Sequence, residues 1–252
     1  MEEFTKLVSL MESLRGPQGC AWDKKQTEKS FRTFLLEEVY EVIEAIERDD
    51  LHALKEELGD LLFHIVFLAQ ICKEKGQFDI SDVVEGAYEK MYRRHPHVFG
   101  AVGDDDKPVE KRWEEIKRGE KEGYSPVSSV PRILPALLRA YVISKRAARV
   151  GFDWKKLEDI YEKAREEMDE LKEAEEKGVA DRIEEEMGDL LFTMVNISRF
   201  HGIDPEAALR RTNEKFVRRF THVEGHLESA KGDLEAMDAL WNETKEREKE
   251  GK

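Results

Sequence analysis

Cysteine is scarce: Cys20 and Cys72 are the only two in 252 residues, and no Cys-x-x-Cys occurs. That excludes a disulfide framework and a cysteine-ligated metal centre, and it fits a reducing cytoplasm. Proline is also scarce, with 7 in the chain, and no stretch shows the period-two alternation of a strand. Long apolar runs are missing. The longest block, Leu61 to Ile71, is interrupted by His64 and Gln70 and is too short and polar to span a bilayer. The opening MEEFTKLVSL is acidic and lacks the apolar core of a signal peptide. Positive charge is in deficit: 42 Lys and Arg against 56 Asp and Glu give a net charge of −14. A surface devoted to nucleic acid is therefore not the expectation. The phosphate-binding pattern GxxxxGK[ST] is absent, and so is the Glu-x-x-His of di-iron bundles.

What is abundant is Leu, Ala, Glu and Lys, a helix-forming mixture. Apolar residues at Phe4, Leu7, Val8, Leu10, Met11 and Leu14 predict a first helix, stopped by Arg15-Gly16-Pro17-Gln18-Gly19. A polar loop follows. Thr27 or Ser30 caps a helix running to about Arg48, and Asp50 caps another over 51–74. A fourth opens at Asp79 or Ser81 and ends near Arg94. His95 to Gly100 reads as a loop, because Pro96 disfavours helix at the residue before it. Trp113 to Arg118 is helical. Gly119 to Pro135 holds three prolines and two glycines with serines between them, and is the linker candidate. Helices are then predicted over about 134–150, 157–177, 180–200, 205–221 and 234–248.

Two stretches repeat. Glu37-Glu38-Val39-Tyr40-Glu41 is followed 16 residues after Glu41 by Glu57, with Asp60 three further on. Glu166-Glu167-Met168-Asp169-Glu170 is followed 16 residues after Glu170 by Glu186, with Asp189 three further on, and the copies lie 129 residues apart. Acids three apart share a helix face. The repeat extends to Glu89-Lys90-x-x-Arg93-Arg94 and Glu214-Lys215-x-x-Arg218-Arg219, to His97-Val98 and His222-Val223, and to Trp113 with Lys117 and Trp241 with Lys245. The chain thus reads as an all-α duplication: a first helical domain over 1–120, a linker over 121–135 and a second helical domain over 136–252.

In so acidic a chain, most Glu residues are a solvated face. These are not ordinary ones, because the helix around Leu58 to Phe67 is nearly apolar all round and is expected to be buried, with Glu57 and Asp60 at its mouth. Like charges about 4 Å apart repel by roughly 4 kcal/mol at an effective dielectric near 20. A divalent ion offsets that, and hard oxygen ligands suit Mg²⁺, with Mn²⁺ the alternative. Lys90 with Arg94, and Lys215 with Arg219, share helix faces and suit a polyphosphate. Ordinary salt bridging of the acids is the competing use. Glu-Glu-Leu-Gly hints at a Nudix box, but His52-Ala53 and Asp181-Arg182 stand where its Arg-Glu pair belongs. His64 reads as a satisfied core histidine, and both cysteines as inert.

Taken together, Gly19-Cys20-Ala21-Trp22-Asp23-Lys24-Lys25-Gln26-Thr27, the two EExxE…ExxD sets, Arg93 to Phe99, Val150-Gly151-Phe152-Asp153-Trp154 and Asn213-Glu214-Lys215-Phe216 resemble tandem MazG-type nucleoside triphosphate pyrophosphohydrolases along essentially the whole chain. The resemblance implies duplicated helical bundles of the all-α NTP pyrophosphatase type, commonly dimeric. It implies Mg²⁺-dependent hydrolysis of (d)NTPs, of broad base range, to NMP and pyrophosphate. Position by position, the metal ligands would be Glu38, Glu41, Glu57 and Asp60, and Glu167, Glu170, Glu186 and Asp189. Glu37 and Glu166 would orient or deprotonate water, although they lie about 100° off the ligand face. Lys90, Arg94 and Lys117, with Lys215, Arg219 and Lys245, would meet phosphate; Arg93 and Arg218 would do so or form surface ion pairs, and Trp113 and Trp241 would stack on the base or pack in a helical core. The second half departs at its entry loop, Phe152-Asp153-Trp154, and keeps only His222-Val223 of the HPHVF run. A helical module that senses nucleotides or docks a partner without turnover is the alternative. A homodimer is expected, because each half alone buries little.

Overall fold

A computed structural model of the chain describes residues 2–100, 109–120, 122–227 and 233–250. The described residues are helices and connecting turns, with no strand among them, so the all-α expectation holds. Contacts divide the chain into Met1–Asp105 and Asp106–Lys252.

The first unit holds α1 (Glu2–Arg15), α2 (Ala21–Lys25), α3 (Glu28–Glu47), α4 (Leu51–Glu74), α5 (Ile80–Arg94) and α6 (Pro96–Phe99). Its helices begin where the caps are. Thr27 and Ser30 exchange side-chain bonds to each other's backbone N–H in a capping box, and Asp50 accepts from the N–H groups of His52 and Ala53. Two short elements depart from the sequence expectation. The loop after Gly19 contains α2, whose carbonyl at Asp23 accepts from the Arg15 guanidinium. The run His95 to Gly100 contains α6, because Pro96 stands at its first position, where a missing N–H costs nothing and φ is preset. His95 itself stays non-helical at φ −119°, ψ 54°. The helices α3 and α4 form a hairpin that packs on α1. Its core is Met11, Phe31, Val66, Phe67 and Ile71, with the Phe31 and Phe67 rings stacked 4.3 Å apart.

The second unit holds α7 (Val109–Glu120), α8 (Ala136–Arg149), α9 (Leu157–Lys177), α10 (Ala180–Phe200), α11 (Pro205–Glu224) and α12 (Leu234–Glu250). Trp113 and Lys117 lie on α7. Within this unit α7 is tied down by the buried Glu114, which accepts from Tyr124 Oη at 2.8 Å and Lys117 Nζ at 3.1 Å and faces Arg149 at 3.7 Å. The helices α9 and α10 repeat the α3–α4 hairpin. The turn between them requires φ of +63° at Gly178, which glycine adopts without a Cβ clash. Asp204 caps α11, with Pro205 behind it. Ala45 and Ala174, and Val66 and Val195, hold the same 129-residue relation as the acids and are buried in both hairpins. The duplication in sequence is therefore matched at these buried positions.

The helix expected to be buried on every side is not. The inner face of α4 carries His64, Val66, Phe67, Ala69 and Ile71, while Leu58, Leu62 and Ile65 are 49%, 40% and 39% exposed. Among the described residues α4 packs against α1, α3 and α5, and these three side chains stay partly exposed.

Candidate active site

Each hairpin gathers its acids at one place. In the first, Glu38 and Glu41 from α3 and Glu57 from α4 offer oxygens that lie within 4.8 Å of one another. In the second, Glu167 from α9 and Glu186 and Asp189 from α10 do the same. The i,i+3 spacing sets two acids on one helix face, and hairpin packing brings the second helix alongside. Asp60 and Glu170 fall outside these tightest groups. Both still belong electrostatically to them: Asp60 raises the pKa of Glu38 and Glu57, and the Glu170 carboxyl is itself raised by burial and by Glu186.

The first cluster is short of positive charge. Burial, followed by Glu41, Asp60 and Glu57, pushes the Glu38 carboxyl up to about 7. Its Oε2 is buried with no hydrogen-bond partner. His64 lies edge-on to Phe31 and Phe63, with ring centres 4.8 and 5.5 Å away. Its Nδ1 also lacks a hydrogen bond and stands 3.7 Å from Glu38 Oε1. The expectation of a satisfied core histidine is thus corrected: His64 is buried, but its nitrogen faces the acids because it sits one turn beyond Asp60. Burial lowers its pKa.

The second cluster carries its own cations. Lys163 Nζ bonds Glu167 at 2.8 Å and Glu166 at 2.7 Å, and Arg182 Nη2 bonds Glu186 at 2.7 Å. Glu167 and Glu186 are buried. The two bonds to Glu166 and Glu167 raise the Lys163 pKa, and Glu186 raises that of Arg182. Sequence reasoning missed both cations. The signal was present, since each lies four residues before the carboxylate it holds.

The remaining candidates are distributed. Glu37 is exposed at the edge of the first cluster. Lys90, Arg93 and Arg94 lie on α5, and none of them pairs with the first cluster's acids among the described residues. Lys117 Nζ stands 5.7 Å over the Trp113 ring. In the second unit, Arg218 and Arg219 both bond Glu248, and the Arg219 guanidinium lies 5.5 Å over Trp241. Phe216 flanks the same indole at 5.2 Å. Lys215 and Lys245 are exposed on the same two helices, α11 and α12. Two of the residues expected to meet phosphate and base, Arg219 and Trp241, are thus neighbours.

Comparison with known proteins gives the arrangement a lineage. The family model for the MazG nucleotide pyrophosphohydrolase domain matches twice, at residues 26–99 and 155–224, and each match contains one acid hairpin. The Thermotoga maritima protein named nucleoside triphosphate pyrophosphohydrolase/pyrophosphatase MazG is 47% identical over 249 residues, 96% of this chain and 95% of that one. The Escherichia coli K12 nucleoside triphosphate pyrophosphohydrolase is 44% identical over 261 residues, 98% of this chain and 99% of that one. Bacillus subtilis YabN is 47% identical over 256 residues, 98% of this chain and 52% of its own length. Two acid hairpins, each inside a match to the same domain, and relatives alike from end to end place this chain in the MazG nucleotide pyrophosphohydrolase family.

Proposed function

We propose that the chain hydrolyses nucleoside triphosphates at the α–β phosphoanhydride, releasing NMP and pyrophosphate, and that it does so with Mg²⁺. The observation that carries this reading is the twice-built cluster of three carboxylates within 4.8 Å. The residues suit a hard divalent ion: every donor is a carboxylate oxygen, and one buried oxygen, Glu38 Oε2, has no partner of its own. Glu38, Glu41, Glu57 and Asp60 would hold it in the first half, and Glu167, Glu170, Glu186 and Asp189 in the second. A bound ion supplies countercharge to the phosphates and acidifies neighbouring water.

The protein's own groups supply the rest. Glu37 and Glu166 stand beside the clusters, where either orients water or accepts its proton. Lys163 and Arg182 bridge two roles. They hold Glu167 and Glu186 in the free protein, and they can exchange these carboxylates for the oxygens of a triphosphate. Lys90, Arg93, Arg94 and Lys117, and Lys215, Arg218, Arg219 and Lys245, provide further positive charge for the phosphate chain. Trp241, beside Phe216 and Arg219, offers a flat ring to a base, with Trp113 in the corresponding role. Stacking on such a face tolerates every base, which supports a broad range.

The chain is proposed to work as a homodimer in a reducing cytoplasm. No described helix is long and apolar enough to cross a membrane. Exposed Leu58, Leu62, Val84, Tyr88 and Tyr92 provide apolar surface for a second copy.

The test is substitution of the acids in pairs. Glu38→Gln with Glu41→Gln removes metal binding from the first half, and Glu167→Gln with Glu170→Gln removes it from the second. The quadruple variant is expected to lose hydrolysis by at least about 10³-fold, the scale of a lost metal-assisted step. Unchanged turnover and metal affinity in that variant would overturn the assignment.

A further inference from the structure

The two carboxylate clusters come from one motif but are neutralised in different ways. In the first, no lysine or arginine pairs with Glu38, Glu41, Glu57 or Asp60 among the described residues. The nitrogen facing the cluster is His64 Nδ1, on a residue only 9% exposed, without a hydrogen-bond partner and 3.7 Å from Glu38 Oε1. In the second, Lys163 and Arg182 sit directly on Glu167 and Glu186. The difference is written in the sequence. Moving back 129 residues from Lys163 and Arg182 reaches Phe34 and Ala53, and moving forward 129 from His64 reaches Thr193.

We propose that the two halves take up divalent ions by different routes. The N-terminal cluster binds the bare ion, with His64 as the positioning residue for Glu38. The C-terminal cluster takes its ion together with a polyphosphate, which draws Lys163 and Arg182 away from Glu167 and Glu186. This inference rests on the carboxylates being metal ligands, as proposed above.

The physical reason is competition for the same oxygens. An ion entering the second cluster must displace charge-assisted bonds of 2.7 and 2.8 Å made to carboxylates that are themselves buried. Left alone, the freed ammonium and guanidinium would repel the incoming ion. A triphosphate removes the obstacle by accepting both cations while it delivers the ion. In the first cluster there is no paired lysine or arginine to displace among the described residues. The imidazole, fixed between Phe31 and Phe63, needs to move less than 1 Å to bring its 3.7 Å approach into hydrogen-bond range of Glu38. Such a bond to a ligating carboxylate orients it without occupying a metal position.

The experiment counts Mn²⁺ bound to the full chain by equilibrium dialysis, with and without α,β-methylene-ATP, alongside hydrolysis of ATP by the wild type. One Mn²⁺ per chain is expected without nucleotide. It is lost in Glu38→Gln/Glu41→Gln and kept in Glu167→Gln/Glu170→Gln, and a second ion appears when the analogue is added. Lys163→Met with Arg182→Met should admit the second ion without nucleotide. His64→Leu should weaken the first ion about 10-fold or more, with helicity unchanged by circular dichroism. His64→Gln, which keeps an N–H donor, should restore most of that affinity. Two equivalent ions per chain without nucleotide would overturn the inference. So would a single ion lost with Glu167 and Glu170, or a count still at one after removal of both cations. The two readings fail separately. Intact production of NMP and pyrophosphate with two nucleotide-free ions refutes only this inference. One nucleotide-free ion on the first cluster with no hydrolysis supports it and refutes the activity.

Discussion

At the scale of single residues, Glu38 bears the heaviest electrostatic load in the first hairpin. Its carboxyl is raised from 4.5 to about 7 by burial and then by Glu41, Asp60 and Glu57. In the unfolded chain the same group ionises near 4.5. Between those values the folded state holds a proton that the unfolded state has released, so stability in metal-free buffer falls as pH rises from about 4.5 to about 7. Below that window both states are protonated and above it both are ionised, and the contribution is flat. Glu38→Gln has no such group. In excess chelator at pH 8 it should melt above the wild type, and its melting temperature should show less decline across this window. Saturating Mg²⁺ should reverse the order by stabilising only the wild type. Parallel pH profiles for the two proteins would contradict the electrostatic account. The acids were legible in the sequence because helical geometry turns a three-residue spacing into a shared face. Lys163 and Arg182 were equally legible at four-residue spacing but were lost among many Glu–Lys pairs of the same kind. The unmet hydrogen-bond demand of the buried His64 nitrogen was not legible, because it depends on how α3 packs against α4.

At the scale of elements, α3, α4, α5 and α11 were readable from their caps, whereas the acid helices α9 and α10 begin without a side-chain cap. Thr27, Asp50, Asp79 and Asp204 each accept from backbone N–H groups where a helix begins. The small helices α2 and α6 were not, since a four- or five-residue turn carries no periodicity to detect. The two helices that carry the first cluster meet at a ring contact. Phe31 on α3 and Phe67 on α4 stack at 4.3 Å, and both are fully buried. Phe67→Ala should cost about 3–5 kcal/mol in denaturant unfolding of the first unit. It should also lower that unit's metal affinity, because Glu38 and Glu57 lie on the two helices whose separation the rings set. A large loss of stability with metal affinity unchanged would show that the cluster does not depend on this contact. In the second hairpin the equivalent positions hold Ile160 and Asn196, so its acids are set by other packing.

At the scale of the whole molecule, the duplication was plain in the sequence, and the structure repeats it as two hairpins with matched buried Ala and Val positions. The exposed side of α4 was not plain. An all-round apolar helix reads as buried, but burial needs a partner, and among the described residues α1, α3 and α5 leave part of it uncovered. Leu58, Leu62 and Ile65, together with Tyr88 and Tyr92 on α5, leave apolar surface that a second copy is proposed to cover. Light scattering at micromolar concentration should therefore give twice the 29.3 kDa chain mass. A mass of one chain would refute the dimer. Beyond assembly, the central claim is chemical: paired acid clusters in this family member serve to split a triphosphate between its first and second phosphates. The most direct measurement is ³¹P NMR of the products formed from ATP or dTTP with Mg²⁺, and again with EDTA. The account predicts NMP and pyrophosphate, abolished by chelation. NDP and inorganic phosphate would contradict the bond assignment, and saturable nucleotide binding with no product would make the chain a sensing module instead of an enzyme.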